Sequence, residues 1–289
     1  MSRLALGTVQ FGLNYGVSNQ SGQVVQSEVG AILNRAAAAG IDTLDTAIAY
    51  GESEACLGRA GVTGWRVITK LPPLPQEIDA VPRWVDAQIE GSLGRLGIAQ
   101  LETVLLHCTG DLLGPHAEAL LRTLNGAKAA GLTRSLGVSI YDPAELDNLW
   151  PLWRPEVVQA PCNVLDRRLI RSGWLDRLNR DGVRVHVRSV FLQGLLLMPA
   201  QRRPESFAPW RVLLDRWSEW CMEHEVSPLR GALAFLGAVR GVDLLVIGVD
   251  SVAQLEEVLS HSSAAKPLPP DDLFSEDKNL IEPSRWKLA

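Results

Sequence analysis

The chain has 289 residues, 46% hydrophobic and 21% charged, enough to bury a large core and long enough for one closed α/β barrel of ~250 residues. Its net charge of −5 comes from interspersed acids and bases, with no basic tract to mark a nucleic-acid or membrane-surface partner, and no run reaches the ~18 apolar residues of a membrane span. Four scattered cysteines without a CxxC pair argue against a disulfide framework and a metal site; with no signal-peptide-like start, a cytoplasmic protein with a small-molecule partner is expected.

Leu4–Thr8 opens the chain as a short apolar strand, followed by a polar, turn-rich loop from Leu13 to Asn19. Ser27–Ala39 has helical spacing, with Ser27 as N-cap and Gly40 as stop. Strands follow at Thr43–Thr46 and Arg66–Lys70, then a helix at Pro82–Leu96 and a strand at Thr103–His107. A helix over His116–Ala130 is closed by Gly131, Ser135–Ser139 is the fifth strand, and Asp142-Pro143 opens the next helix. Val157–Ala160, Val183–Val187 and Leu244–Gly248 complete eight strands, with helices over Pro209–His224 and Val252–His261. A proline-rich stretch, Lys266–Pro270, leads into a polar tail, and residues 265–289 are expected to lie over the rest.

Alternation of strand and helix implies parallel strands with helical crossovers, and eight units fit a single (β/α)8 barrel, an α/β TIM barrel, over residues 1–289. The rival is an open doubly wound sheet, which would carry GxGxxG after its first strand. Leu6-Gly7-Thr8-Val9-Gln10-Phe11-Gly12 does not supply that pattern, and no phosphate-binding loop of the Walker type appears.

In such barrels the chemistry lies at the C-terminal ends of the strands. Asp45 in the second strand, Tyr50 just beyond it, Lys70 ending the third and His107 ending the fourth are the candidates. Carbonyl reduction needs a hydride donor at carbon and a proton donor at oxygen. A phenol, with its ordinary pKa of ~10, improves as a donor when an ammonium stabilises its anion. Lys70 would do this, Asp45 would hold Lys70 charged, and His107 would hydrogen-bond the carbonyl oxygen. Singly, each has a plainer reading as a cap, a solvated strand end, a packed ring or a core histidine. Their coincidence at three successive strand ends favours catalysis.

Gly40 to Gly51, Val67-Ile68-Thr69-Lys70, Leu105-Leu106-His107, Leu136-Gly137-Val138-Ser139, Gln159 to Asn163, Arg188 to Gly194 and Ile247 to Glu257 together resemble the aldo-keto reductase family, in family order. The resemblance implies the tetrad Asp45, Tyr50, Lys70 and His107, and a nicotinamide cofactor held across the barrel mouth by Gly7, Thr8, Ser139, Gln159, Arg188, Ser189, Gly248, Ser251 and Gln254. The chain departs from the family at Ile140, where many members have asparagine, and at Arg188, where many stack a tyrosine on the nicotinamide. Arg188 would stack, clamp a phosphate or substrate carboxylate, or form a surface ion pair.

NADPH is the family's usual cofactor. NADH stays open, because the stretch from Gly248 to Val258 has no cation and carries Asp250. Tyr15, Asn19 and Trp286 are candidates for the substrate pocket. The Leu13–Asn19 loop resembles a bacterial subgroup linked to polysaccharide and modified-sugar metabolism, so the expected partner is a carbonyl or alcohol, sugar-like in type. The alternatives are a non-catalytic, nucleotide-binding regulatory protein on the same barrel, and a cofactor-independent lyase or isomerase.

Overall fold

A computed structural model of the chain describes residues 3–261 and 267–286. Eight parallel strands close into a barrel in chain order: β1 (Leu4–Gly7), β2 (Thr43–Asp45), β3 (Arg66–Leu71), β4 (Leu101–Leu106), β5 (Thr133–Ser139), β6 (Val157–Pro161), β7 (Arg184–Arg188) and β8 (Leu244–Gly248), with β8 returning to β1. The principal helices outside the sheet are α1 (Gln26–Ala38), α2 (Ser53–Ala60), α3 (Val81–Leu96), α4 (Ala117–Ala129), α5 (Glu145–Leu149), α6 (Trp174–Arg180), α7 (Arg211–Glu223), α8 (Pro228–Ala238) and α9 (Val252–His261).

Period-two alternation decides which side chains enter the barrel. Ala5, Ile68, Leu105, Val157 and Leu244 form a small interior cluster with Val246. Their strand neighbours Leu6, Val67, Val104, Leu106, Val158 and Leu245 belong to the larger core between sheet and helices. Counting two residues on from the interior set reaches Gly7, Lys70, His107 and Gln159. The polar residues at the strand ends are thus carried inward by the same alternation that buries the aliphatic ones. The register Gly7↔Asp45 and Ser139↔Gln159 brings further polar groups to the same end.

Two helix starts differ from the sequence reading. Ser27 does not cap α1; Val25 holds the N-cap position, without a side-chain hydrogen bond, and the helix begins at Gln26. The helix expected over Pro209–His224 is divided, with a 3-10 turn at Glu205–Trp210 preceding α7. Gly40 does end α1, at φ +78°, where a side chain would be strained. Asp142 accepts from the Ala144 N–H at 3.0 Å ahead of α5.

The tail is described from 267 to 286. The Ser275 N–H donates to the Leu165 carbonyl at 2.8 Å, and Leu273, Leu280 and Ile281 are buried. Arg168 ties it down, donating to Glu282 at 2.8 Å while also pairing with Asp166. Among the described residues no helix is long and apolar enough to cross a membrane.

Candidate active site

β2 ends at Asp45, and the chain then turns to place Tyr50 just before α2. That turn is anchored on both sides. The Ile48 N–H donates to the Lys70 carbonyl at 3.2 Å, and the Ser53 hydroxyl at the start of α2 donates to the Thr8 carbonyl at 2.8 Å. Gly12 lies so close beneath the turn that a Cβ there would fall 1.8 Å from the Tyr50 carbonyl oxygen. The position of Tyr50 is therefore set by β1, β2 and β3 together.

Lys70 is fully buried, and its Nζ donates to Asp45 Oδ1 at 2.6 Å and to the Thr46 carbonyl at 2.8 Å. Asp45 Oδ2 accepts from Gln159 Nε2 at 2.6 Å, so both carboxylate oxygens are engaged. Burial works against the ammonium, but Asp45 and then Tyr50 outweigh it and hold the Lys70 pKa above that of an ordinary lysine. Its Nζ lies 5.0 Å from the centre of the Tyr50 ring.

His107 stands edge-on to Tyr50, ring centres 6.2 Å apart. Burial, reinforced by Lys70 and Arg188, lowers its pKa to about 4. Near neutral pH the imidazole is uncharged, with one N–H to donate and one ring nitrogen to accept.

A cleft of about 640 Å³ opens over these residues. It is lined by Asp45, Tyr50 and His107, by Gly7 and Thr8 at the end of β1, and by Arg188 and Ser189 at the end of β7. It continues past Gly248 to Asp250, Gln254, Glu257 and Val258 around the start of α9, and the tail adds Pro283 and Ser284. Arg188 donates to the Ile140 carbonyl at 3.0 Å and to Ser189 Oγ at 3.2 Å, with its guanidinium 4.7 Å from the Tyr141 ring centre. It makes no ion pair among the described residues, so the surface ion-pair reading of Arg188 falls.

Other sequence candidates are distributed unevenly. Tyr15 lines the cleft, and its hydroxyl accepts from Gln193 Nε2 at 3.0 Å; burial leads in raising its pKa. Asn19 is not in the lining, because its side chain folds its own turn, donating to Tyr15 and Gly22 carbonyls and accepting from Ser21 and Gly22 N–H groups. Trp286 is likewise outside the lining, its ring edge-on to Phe207 and its Nε1 donating to the Leu280 carbonyl at 3.0 Å. Ser251 does not reach the cleft either; its Oγ accepts from the Gln254 N–H at 3.2 Å as the cap of α9.

The sequence reading missed Tyr141 and Gln193. For Tyr141 the available signal was an aromatic ring two residues past Ser139 at a strand end. Gln193 belongs to a segment with three non-glycine residues at positive φ, Ser189 at 58°, Leu192 at 48° and Gln193 at 52°. Such backbone costs ~1–3 kcal/mol per residue and concentrates at functional sites.

The closed parallel barrel, with a polar group gathered at the C-terminal ends of its strands, places the chain among the (β/α)8 barrels. The chain belongs to the aldo/keto reductase family, whose model matches residues 3–277. Two similar solved structures come from Pseudomonas aeruginosa, both assigned to the aldo-keto reductases. One has 23% identity, a TM-score of 0.68 and covers 91% of this chain and 90% of its own. The other has 21% identity, a TM-score of 0.66 and the same coverage of 91% and 90%. An aldo-keto reductase of Bacillus halodurans, in its holo form, has 19% identity and a TM-score of 0.70, covering 92% of this chain and 88% of its own. At these identities the likeness speaks for the fold alone. No curated protein matches the chain.

The family generally uses a nicotinamide dinucleotide; Gly7, Thr8, Arg188, Ser189, Gly248 and Gln254 line the cleft that would hold one, while Ser139 and Gln159 lie buried behind that lining. Ser139 Oγ and Gln159 Oε1 are buried at neighbouring strand ends without a hydrogen-bond partner among the described residues. Buried polar atoms are rarely left so, and a carboxamide brings both the donor and the acceptor they lack.

Proposed function

We propose that the protein interconverts an aldehyde or ketone and the corresponding alcohol with a nicotinamide dinucleotide, Tyr50 handling the proton. The observation that carries this reading is the buried Lys70–Asp45 pair, with Lys70 Nζ 5.0 Å from the Tyr50 ring. When bound, a dinucleotide would supply the hydride in reduction and accept it in oxidation. In reduction the Tyr50 hydroxyl gives its proton to the substrate oxygen; in oxidation the phenolate takes it back. The Lys70 ammonium beside the Tyr50 ring is placed to stabilise negative charge that develops on the phenol oxygen as the proton leaves. Asp45 keeps Lys70 protonated, since a lysine buried alone would lose its charge. Neutral His107 donates its N–H to the carbonyl oxygen and orients it, without competing for the proton. Ser139 and Gln159 would hold the nicotinamide carboxamide.

The substrate reading is a hydroxylated, sugar-like carbonyl. Its support is the set of hydrogen-bonding side chains that Tyr15, Ser18, Arg188, Ser189 and Gln193 add to an otherwise largely apolar cleft wall. Reduced nicotinamide oxidation is to be followed with alkyl and polyhydroxylated aldehydes of matched length, using NADPH and NADH. Turnover that favours the hydroxylated series is expected. Tight nucleotide binding with no turnover of any carbonyl would overturn the catalytic reading in favour of a regulatory one.

A further inference from the structure

The end of the cleft away from Tyr50 is lined by Asp250, Gln254, Glu257 and Val258. Among the described lining residues the only lysine or arginine is Arg188, whose guanidinium is directed at the Tyr141 ring and the Ile140 carbonyl. A helix N-terminus ordinarily offers free N–H groups and a positive dipole end to a phosphate. At α9 two of those groups are already taken. The Val252 N–H donates to Glu28 Oε1 at 2.8 Å and the Gln254 N–H to Ser251 Oγ, while just ahead of the helix the Asp250 N–H donates to Gln254 Oε1 at 2.8 Å. Glu28 reaches across from α1, so a carboxylate already offsets the dipole. The arginine on that helix, Arg35, is committed to Glu256 through two hydrogen bonds. Asp250 Oδ1, meanwhile, is buried and has no partner among the described residues.

A dinucleotide with its reacting ring at Tyr50 must lay its adenylate half toward this end. We infer that the cleft takes NAD(H) and discriminates against NADP(H), with Asp250 accepting a hydrogen bond from a ribose hydroxyl of the adenosine and repelling a 2′-phosphate. The inference rests on the oxidoreductase reading and departs from the NADPH that family resemblance implies. A 2′-phosphate there would meet Asp250 and Glu257, with no cation beside them among the described lining residues, whereas a hydroxyl supplies the donor that Oδ1 lacks. Burial raises the Asp250 pKa, an effect that a hydrogen bond from the Gln254 side chain only partly offsets, and a ribose hydroxyl on Oδ1 would relieve it further.

The test is a titration of the whole protein with NADH and with NADPH, read by quenching of tryptophan fluorescence and independent of turnover. NADH should bind ~50-fold or more tightly than NADPH. Asp250→Asn removes the charge with little change of shape, and should tighten NADPH by ~10-fold while weakening NADH a few-fold; Asp250→Arg should reverse the order. Competition by 5′-AMP should exceed that by adenosine 2′,5′-bisphosphate in the wild type. Equal or tighter NADPH binding by the wild type, or an unchanged NADH-to-NADPH ratio in a folded Asp250→Asn, overturns this inference and leaves the oxidoreductase reading standing. Failure of both nucleotides to bind overturns the two together.

Discussion

At the ends of β2, β3 and β6 every charged atom is matched before any ligand arrives. Lys70 has Asp45 and Thr46, and Asp45 has Lys70 and Gln159. At the ends of β7 and β8 the reverse holds. Arg188 has only neutral acceptors, Asp250 Oδ1 has none, and the backbone from Ser189 to Gln193 is strained. The difference follows from what each side must do. A proton-handling group needs its electrostatics fixed in advance, so it is set in the sheet and closed off. A recognition surface must keep donors and acceptors for its ligand, so it is carried on loops and helix ends.

The sharpest way to break the first side is Lys70→Met. It leaves Asp45 charged and buried without its partner, which costs ~3–5 kcal/mol, and it removes the ammonium that favours phenolate, for a loss of ~1,000-fold in kcat. Urea unfolding and steady-state kinetics measure the two separately. Unchanged kcat in a folded variant would separate Lys70 from the chemistry.

His107 gives the next largest effect, in the pH dependence of stability. Its pKa is about 4 in the fold, below the ordinary 6.5, so the unfolded chain binds the proton more readily. The stability this neutral imidazole contributes is complete above pH 6.5 and is lost as pH falls through about 4, a loss of about 3 kcal/mol. His107→Gln should flatten the unfolding free energy over that window relative to wild type. Parallel profiles would show that the imidazole is not held neutral.

Tyr15→Phe probes the other side and should do the least. It removes one hydrogen bond, to Gln193, worth ~1 kcal/mol. KM should rise several-fold with kcat and the unfolding midpoint nearly unchanged. A fall in kcat like that of Lys70→Met would erase the distinction between the two sides.

The same division governs what the sequence could tell. The strands were legible because buried parallel strands are short apolar runs, and Asp45, Lys70 and His107 were legible because each ends or closes such a run. Strand alternation then fixes that Lys70 and His107 enter the barrel with Ile68 and Leu105. The loop side was less open to that reasoning. Tyr15 and Gln193 meet across 178 residues of chain, through loops docked by the Val17 N–H on the Gln193 carbonyl. Asn19 looked like a pocket residue because a turn-forming asparagine and a ligand-binding one have the same local sequence. Trp286 depends on how the tail crosses the surface, which no periodicity encodes. Ser27 is not the cap because Val25 takes that position two residues earlier, with the helix starting at Gln26.

The central claim is that Tyr50 delivers the proton while the rest of the site binds independently of it. Tyr50→Phe removes one oxygen and keeps the ring between Lys70 and His107. Its kcat for carbonyl reduction should fall ~1,000-fold or more while its Kd for the reduced dinucleotide stays within ~2-fold of wild type. Near-wild-type turnover in that variant would contradict the account.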